Sequence, residues 1–470
     1  MTSNAFHRTG RRGRLTAAAS TAATAVIALI AAAGCTFSPH GETAIRRQAD
    51  TAGRPFALPP PRRHPQPLPA VPTPRQLVSR ALVESPDVEA AYWQWRAAIE
   101  EIPQQGTEPT VPMLGATIGL QSGATSAAGT MLQLANMSSA PIEWPIKPLT
   151  QARAALQRAY AAGWNYRRAQ FAARRDVLDA WYKLTADVKM VDLLRQDERL
   201  LGELEAFARA RIETGTTPAT TALSVEDERT ALRARIIAVS ARLPADRAEL
   251  NQILGRPVRS ALGVPDRFPR QPARRADMDR LLAQAVRRNP DLAALRREIR
   301  ADRLDIERAK LDYLPDFTLS VDSSLDGLMQ NPGAGIMLPF MAYQGIDAAI
   351  RQSRDRLRQA RAQLRSRRLG VTSGLVADLV LIDGDVRQID LYENTLLPRL
   401  RQLADFARTD VAQSQTASDA PVRIERLRVR ARETILDLRL DAARRTADVE
   451  AITAARLGNG AALSGAAGNE

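Results

Sequence analysis

The sequence predicts a mainly α protein built from long coiled-coil hairpins, with two short β-hairpins set between the helices. Three observations lead there. Residues 151–254 form one helical run broken by a single turn, and between 151 and 207 there is no proline and only Gly163 and Gly202 as glycines. Its apolar seam, Ala155, Ala159, Ala162, Tyr166, Ala169, Ala173, Val177, Ala180, Leu184, Val188 and Val191, steps by fours and threes, which is coiled-coil spacing, and its alanines let neighbouring helices approach closely. At 1.5 Å per residue the first helix alone would be roughly 85 Å long, deeper than an ordinary globular core. Aromatic residues are 4% of the 470, too few for an aromatic-rich core.

The chain opens on a leader. Arg8, Arg11, Arg12 and Arg14 form a basic region, and 15–33 are small and apolar, ending in Ala32-Ala33-Gly34-Cys35. This resembles a bacterial lipoprotein signal, which would be cleaved before Cys35 and leave that residue acylated, palmitate included, at about 0.8 kcal/mol of membrane attachment per buried CH₂. Ala32 stands where such signals usually carry leucine. Thr36 follows instead of the aspartate that retains such lipoproteins in the inner membrane, which points to the outer membrane. Residues 35–73 then read as a proline-rich, extended linker.

Two copies of one plan follow, 74–257 and 277–457, joined by a connector at 258–276. Residues 81–90 match 285–294 at an offset of 204, and 207–209 match 406–408 at an offset of 199. Each copy reads as helix, β-hairpin, very long helix, turn, helix. Ser85-Pro86 and Asn289-Pro290 look like helix starts, a cap residue followed by proline at the first helical position. The β-hairpins fall at 113–146 and 315–341, with alternation in Ala116, Ile118 and Leu120 and again in Ile142, Trp144 and Ile146. In copy two the strands shrink to about 317–323 and 335–340, short of the ~9–11 residues that cross a bilayer. The turns lie at 207–220 and 406–420. The long helix of copy two runs from 346 to 410, and 458–470 form a disordered tail.

The net charge is +14, but acids alternate with arginines along the helices, a solvated charged face rather than a nucleic-acid surface. His7, His40 and His64 all precede the helical body and Cys35 is the only cysteine, so a zinc site, a Ser-His-Asp triad or a Cys-His nucleophile is unavailable to it. No phosphate-binding glycine motif occurs either. The reading is a non-enzyme without cofactors or a bound metal. Met113, Met131, Met137, Met329, Met337 and Met341 cluster in the β-hairpins, where thioethers suit Cu(I), although methionine as apolar filler is the simpler account. Trp93, Trp95, Trp164 and Trp181 read as helix-packing residues.

Asn289 to Leu292, Leu314 to Phe317, Ile336 to Phe340 leading through Gly345, the turn residues Phe207, Arg211 and Gly215, and the closing Ile253-Leu254-Gly255 together resemble the outer-membrane efflux protein family, the TolC-like channels, over 74–457. The resemblance implies a homotrimer whose helices form a hollow α-barrel in the periplasm and whose β-hairpins share one barrel in the outer membrane, here small or truncated. It implies a passive conduit in a tripartite efflux or type I secretion system, with a periplasmic adaptor protein and an inner-membrane transporter as partners and no nucleic acid. The adaptor-binding tips would comprise Phe207, Arg211, Thr214, Gly215, Phe406, Asp410 and Ser414. Gate acids in the family follow the turn. Here Thr221 and Ser224 hold the corresponding places in copy one, leaving Glu226, Asp227 and Asp419 as the candidates. Copy two also carries Ser414 where copy one has the turn glycine. The competing reading is a lipid-anchored periplasmic coiled-coil tether without a lumen.

Overall fold

A computed structural model describes residues 38–63, 67–107, 113–120, 132–144, 146–215, 218–266, 268, 277–324, 330–338, 343–414 and 418–454. Cys35, the tail, Met131, Met329 and Met341 lie outside them. The helices are α1 (Glu42–Ala52), α2 (Pro74–Glu84), α3 (Pro86–Gly106), α4 (Ile146–Glu213), α5 (Ala219–Ile253), α6 (Met278–Arg288), α7 (Pro290–Leu311), α8 (Tyr343–Leu391), α9 (Leu397–Ser414) and α10 (Ala420–Thr453). The strands are β1 (Met113–Leu120), β2 (Leu132–Ile142), β3 (Asp316–Ser324) and β4 (Gln330–Met337). No described helix is long and apolar enough to cross a membrane. The chain divides into two compact units. The first takes in 96–160 and 297–361, and the second holds 49–95, 161–296 and 362–470.

In the first unit the two β-hairpins join into one antiparallel sheet of order β1-β2-β3-β4. The central pairing runs between copies, from Ala135 opposite Ser324 to Ile142 opposite Phe317. β3 is longer than its sequence reading, and β4 begins at Gln330 rather than near 335, taking Asn331-Pro332-Gly333 into the strand. The reason is position. β4 is an edge strand, so the donor that Pro332 lacks need not be missed by the ladder. At the base of the sheet Lys147 is 1% exposed, and its Nζ donates to Asp316 Oδ1 at 2.6 Å and to the Leu314 carbonyl at 3.3 Å. Trp144 meets Phe317 edge-on at 5.2 Å, and Tyr313 stacks on Tyr343 at 5.8 Å.

The second unit is held by the predicted seam. Ala173, Val177, Ala180, Leu184 and Val191 are buried, with Val188 partly so. Around Trp181, Val177, Ala180 and Leu184 pack against Leu77 and Ala81 of α2, Leu250 of α5 and Ala447 of α10, while Val191 packs with Val225 of α5 and Leu436 and Ala443 of α10. Small seam residues leave room for large ones opposite. A Cβ on Gly163 would meet the Trp95 ring at 3.0 Å, and Trp95 in turn stacks on Tyr166 at 5.6 Å. Trp93, expected to pack, is half exposed and donates to Glu89 at 3.3 Å.

Local chemistry sets the helix ends. Thr73 and Gln76 form a reciprocal cap on α2, and Asn289 caps α7 through the Leu292 N–H while its amide donates to the Ile452 carbonyl. α5 ends at Gly255, whose φ is +63° and whose missing Cβ would lie 2.3 Å from the Glu84 carbonyl, so only glycine fits.

Three expectations need correction. The linker after Cys35 is not a free extended strap. Ile45 and Ala49 bury one face of α1, Phe56 is 3% exposed, and Arg63 binds both oxygens of Glu89 at 2.8 and 2.6 Å. Prolines there start short 3₁₀ turns at Arg54–Phe56 and Pro60–Arg62 instead of prolonging an extended chain. The first helix of copy one, expected to run from about 74 to 102, breaks at Ser85 and then continues through Pro103 to Gly106, because a proline one turn from the end removes few helical bonds. The long helix of copy two is interrupted by a π turn at Tyr392–Leu396, just before Pro398, which has no N–H to donate to the preceding turn.

Candidate functional site

The two helical turns lie in the second unit, and each is closed by the same device. α4 and α5 are bridged by Arg209, which donates to Glu226 at 2.6 Å. α9 and α10 are bridged by Arg408, which donates to Glu425 at 2.9 Å. Partners are 17 residues apart in both, and each member of the second pair sits 199 residues after its counterpart. Copy one adds Glu205, which accepts from Arg209 at 2.5 Å and from Arg229 at 2.6 Å. Arg229 foremost, then Arg209, holds the Glu205 carboxyl below the usual carboxylate range.

Around these bridges the turns differ. Gly215 has φ +71° and closes turn one by donating to the Ile212 carbonyl at 2.9 Å, while Thr214 Oγ1 donates to the Arg211 carbonyl at 3.1 Å. Phe207 is half-buried, with the Arg211 guanidinium 5.8 Å from its ring centre. Phe406 at the equivalent place is 69% exposed. Asp410 and Ser414 lie on the last turns of α9.

The candidate gate acids are not gathered into one cluster. Glu226 is engaged by Arg209, and Asp419 accepts from Arg423 Nε at 2.5 Å at the start of α10, both within their own hairpins. Asp227 is exposed on α5. Its counterpart at an offset of 199 is Arg426, which has the opposite charge and is 8% exposed. Arg426 donates to buried Asp197 of α4 at 2.8 Å and to Glu228 of α5 at 2.9 Å. Burial alone would lower its pKa, but the two carboxylates outweigh that and raise it. A second bridge of this kind joins Arg235 of α5 to buried Glu433 of α10 at 2.7 Å. These ties among α4, α5 and α10 were missed from sequence. The duplicated 17-residue Arg–Glu spacing was a visible signal, but nothing local distinguishes Arg426 from its exposed neighbours.

Further along the coil Asp187 of α4 faces Asp246 of α5, which is 2% exposed. Burial, then the hydrogen bond to Asp246 and its charge, push the Asp187 carboxyl up to about 6 against the opposing pull of Arg242 and Lys183. Lys183 binds Asp246 at 2.8 Å, and Oδ2 of each aspartate has no partner among the described residues. None of this assembles a nucleophile with a base. No cluster of metal-binding side chains occurs among the described residues.

Residues 77–256 match the sequence profile of the family described as Outer membrane efflux protein. No curated protein matches the chain. Among solved structures, it is similar to the outer membrane protein VceC from Vibrio cholerae, with a TM-score of 0.67 and 16% identity over 82% of this chain and 96% of that one. The Campylobacter jejuni CmeC outer membrane channel is similar at 0.67 and 12%, over 81% of this chain and 85% of that one. The open-state MtrE outer membrane channel of Neisseria gonorrhoeae is similar at 0.65 and 15%, over 84% and 94%. At these identities the likeness is one of fold, and the profile match ties residues 77–256 to a family of transport channels rather than enzymes. A duplicated coil with a four-stranded sheet gives the chain the fold of these outer-membrane channels, and its first copy carries the sequence pattern of the outer membrane efflux protein family.

Proposed function

We propose that this chain is the outer-membrane channel component of a tripartite efflux or type I secretion system, a passive conduit that draws its energy from an inner-membrane transporter. The observation that carries the reading is the sheet. Among the described residues β1 and β4 each have a single neighbour, and open edges of this kind call for further strands. Three copies would supply twelve and close a barrel. The strands run to 8, 11, 9 and 8 residues, around the lower limit for crossing a bilayer, so the barrel is short. The aromatic pairs Trp144–Phe317 and Tyr313–Tyr343 suit a membrane interface. The two turns, with exposed Phe406 and the Phe207–Arg211 stack, are the surfaces offered to a periplasmic adaptor protein.

The sole cysteine supports lipid anchoring, with acylated Cys35 leading into the docked α1 segment and holding the channel to the outer membrane. Imaging of the detergent-extracted particle tests the conduit. A hollow trimeric cylinder that conducts ions in planar bilayers is expected, whereas a solid rod or a monomer overturns it in favour of a tether. Metabolic palmitate labelling tests the anchor, with label expected on the wild type and lost in Cys35→Ser.

A further inference from the structure

Along most of the coil, arginines and carboxylates neutralise one another across helices, as Arg426 does with Asp197 and Arg445 with Asp385. The first part of α8 departs from this. Arg351, Arg354, Arg358 and Arg361 recur by three and four along one face, beside the buried seam of Ile346, Ile350, Leu357 and Ala360, and all four are exposed. The spacing continues in the sequence at Arg365 and Arg368.

Compensation is thin. The only carboxylate in 351–361 is Asp355, which takes Arg358 at 2.8 Å in a pair whose side chains are 77% and 67% exposed, so water competes freely for both. Asp347, one turn earlier, accepts the Tyr313 hydroxyl at 2.6 Å, with Arg351 close enough to act on that pair. Arg356, off the stripe, acts on Asp302 of α7 together with Arg158. No ion pair engages Arg354 or Arg361 among the described residues.

Like charges stacked at these spacings weaken a helix. An anion placed between them reverses that term, and each guanidinium offers a planar fork of donors fitted to phosphate, sulfate or carboxylate oxygens. The helical rise puts successive stripe residues about 5 Å apart, a spacing that one molecule with several anionic groups bridges.

We propose that the α8 arginine stripe binds soluble oligoanions and so biases the conduit toward anionic cargo. The binding stands on the stripe alone, and the cargo preference rests on the channel reading above. The test is calorimetric titration of the detergent-extracted full chain with inorganic triphosphate at low and physiological salt. Saturable binding is expected, weakened about tenfold or more in the R354Q/R361Q double variant and steeply by salt. Arg387→Gln, an exposed arginine elsewhere on α8 paired with Asp383, is expected to bind as wild type. Absence of binding at low salt, or equal binding by the double variant, overturns the inference. So does stripe-dependent binding to phosphatidylglycerol vesicles without binding to triphosphate, which would make the ligand a lipid. In planar bilayers the double variant should shift the reversal potential toward cations. A protein that binds triphosphate yet never conducts refutes the channel reading and leaves the binding intact.

Discussion

The two helical hairpins started from one plan and differ in where they place charge. Both keep the Arg–Glu bridge across the turn, Arg209 with Glu226 and Arg408 with Glu425, in the same register. Elsewhere equivalent positions have parted. Asp227 is exposed in copy one, and in copy two its place is taken by buried Arg426, tied to Asp197 and Glu228. Asp246 forms an acid pair with Asp187, while the residue 199 later, Arg445, neutralises Asp385 and approaches Asp441. The exposed bridge was conserved through duplication, and the buried charges were reassigned. Helices of two copies that pack on each other need opposite charges at facing positions, which identical copies cannot supply.

The sharpest way to break this comparison is to mutate the equivalent pair. Arg426→Met leaves Asp197 buried without its cation and should cost about 3–5 kcal/mol, since an uncompensated buried charge is expensive. Asp227→Met, on an open face, should leave the thermal midpoint almost unchanged. Equal shifts would show that burial does not distinguish the two sites.

The turns come next. Gly215→Ala puts a side chain at φ +71° and should cost about 1–2 kcal/mol in denaturant unfolding, whereas Ser414→Ala in copy two should cost little.

The acid pair sharpens the comparison through pH. Asp187 has a folded pKa of about 6, above the ~3.9 of an unfolded aspartate, so its contribution is fully present below ~3.9 and is lost as pH rises through 6. Asp187→Asn should remove that loss, making the variant more stable than wild type at pH 8 by on the order of 1 kcal/mol once solvent screening is allowed for. Unfolding curves at pH 5 and 8 with the same slope in both proteins would refute the assignment.

The smallest effect belongs to the conserved bridges. Arg209→Ala and Arg408→Ala, each at an exposed tip, should barely move the midpoint, while pull-down by the adaptor should fall in both. A large stability loss from either would make the bridge a structural lock instead of a docking feature.

Much of the candidate site was legible in the sequence. The turn at Gly215 shows because glycine and proline punctuate a long periodic run, and the twin at 406–420 shows through its offset. The cap at Asn289 follows from a cap residue standing directly before a proline. The docked segment after Cys35 was harder to see, because its prolines suggest an extended chain, while burial of Ile45 and Phe56 depends on surfaces far along the sequence. The same holds for Pro332, whose tolerance in β4 depends on that strand lying at an edge.

The sequence alone therefore determined the duplicated helical plan, its two turns and its elongated coils, because heptad spacing, caps and breakers act over a few residues. The tertiary structure decided which charges are buried, how β2 meets β3 across the copies, and which arginines have no ion pair among the described residues. Those outcomes depend on partners as distant as the 229 residues between Asp197 and Arg426, and no local pattern encodes the dielectric in which such a pair will sit.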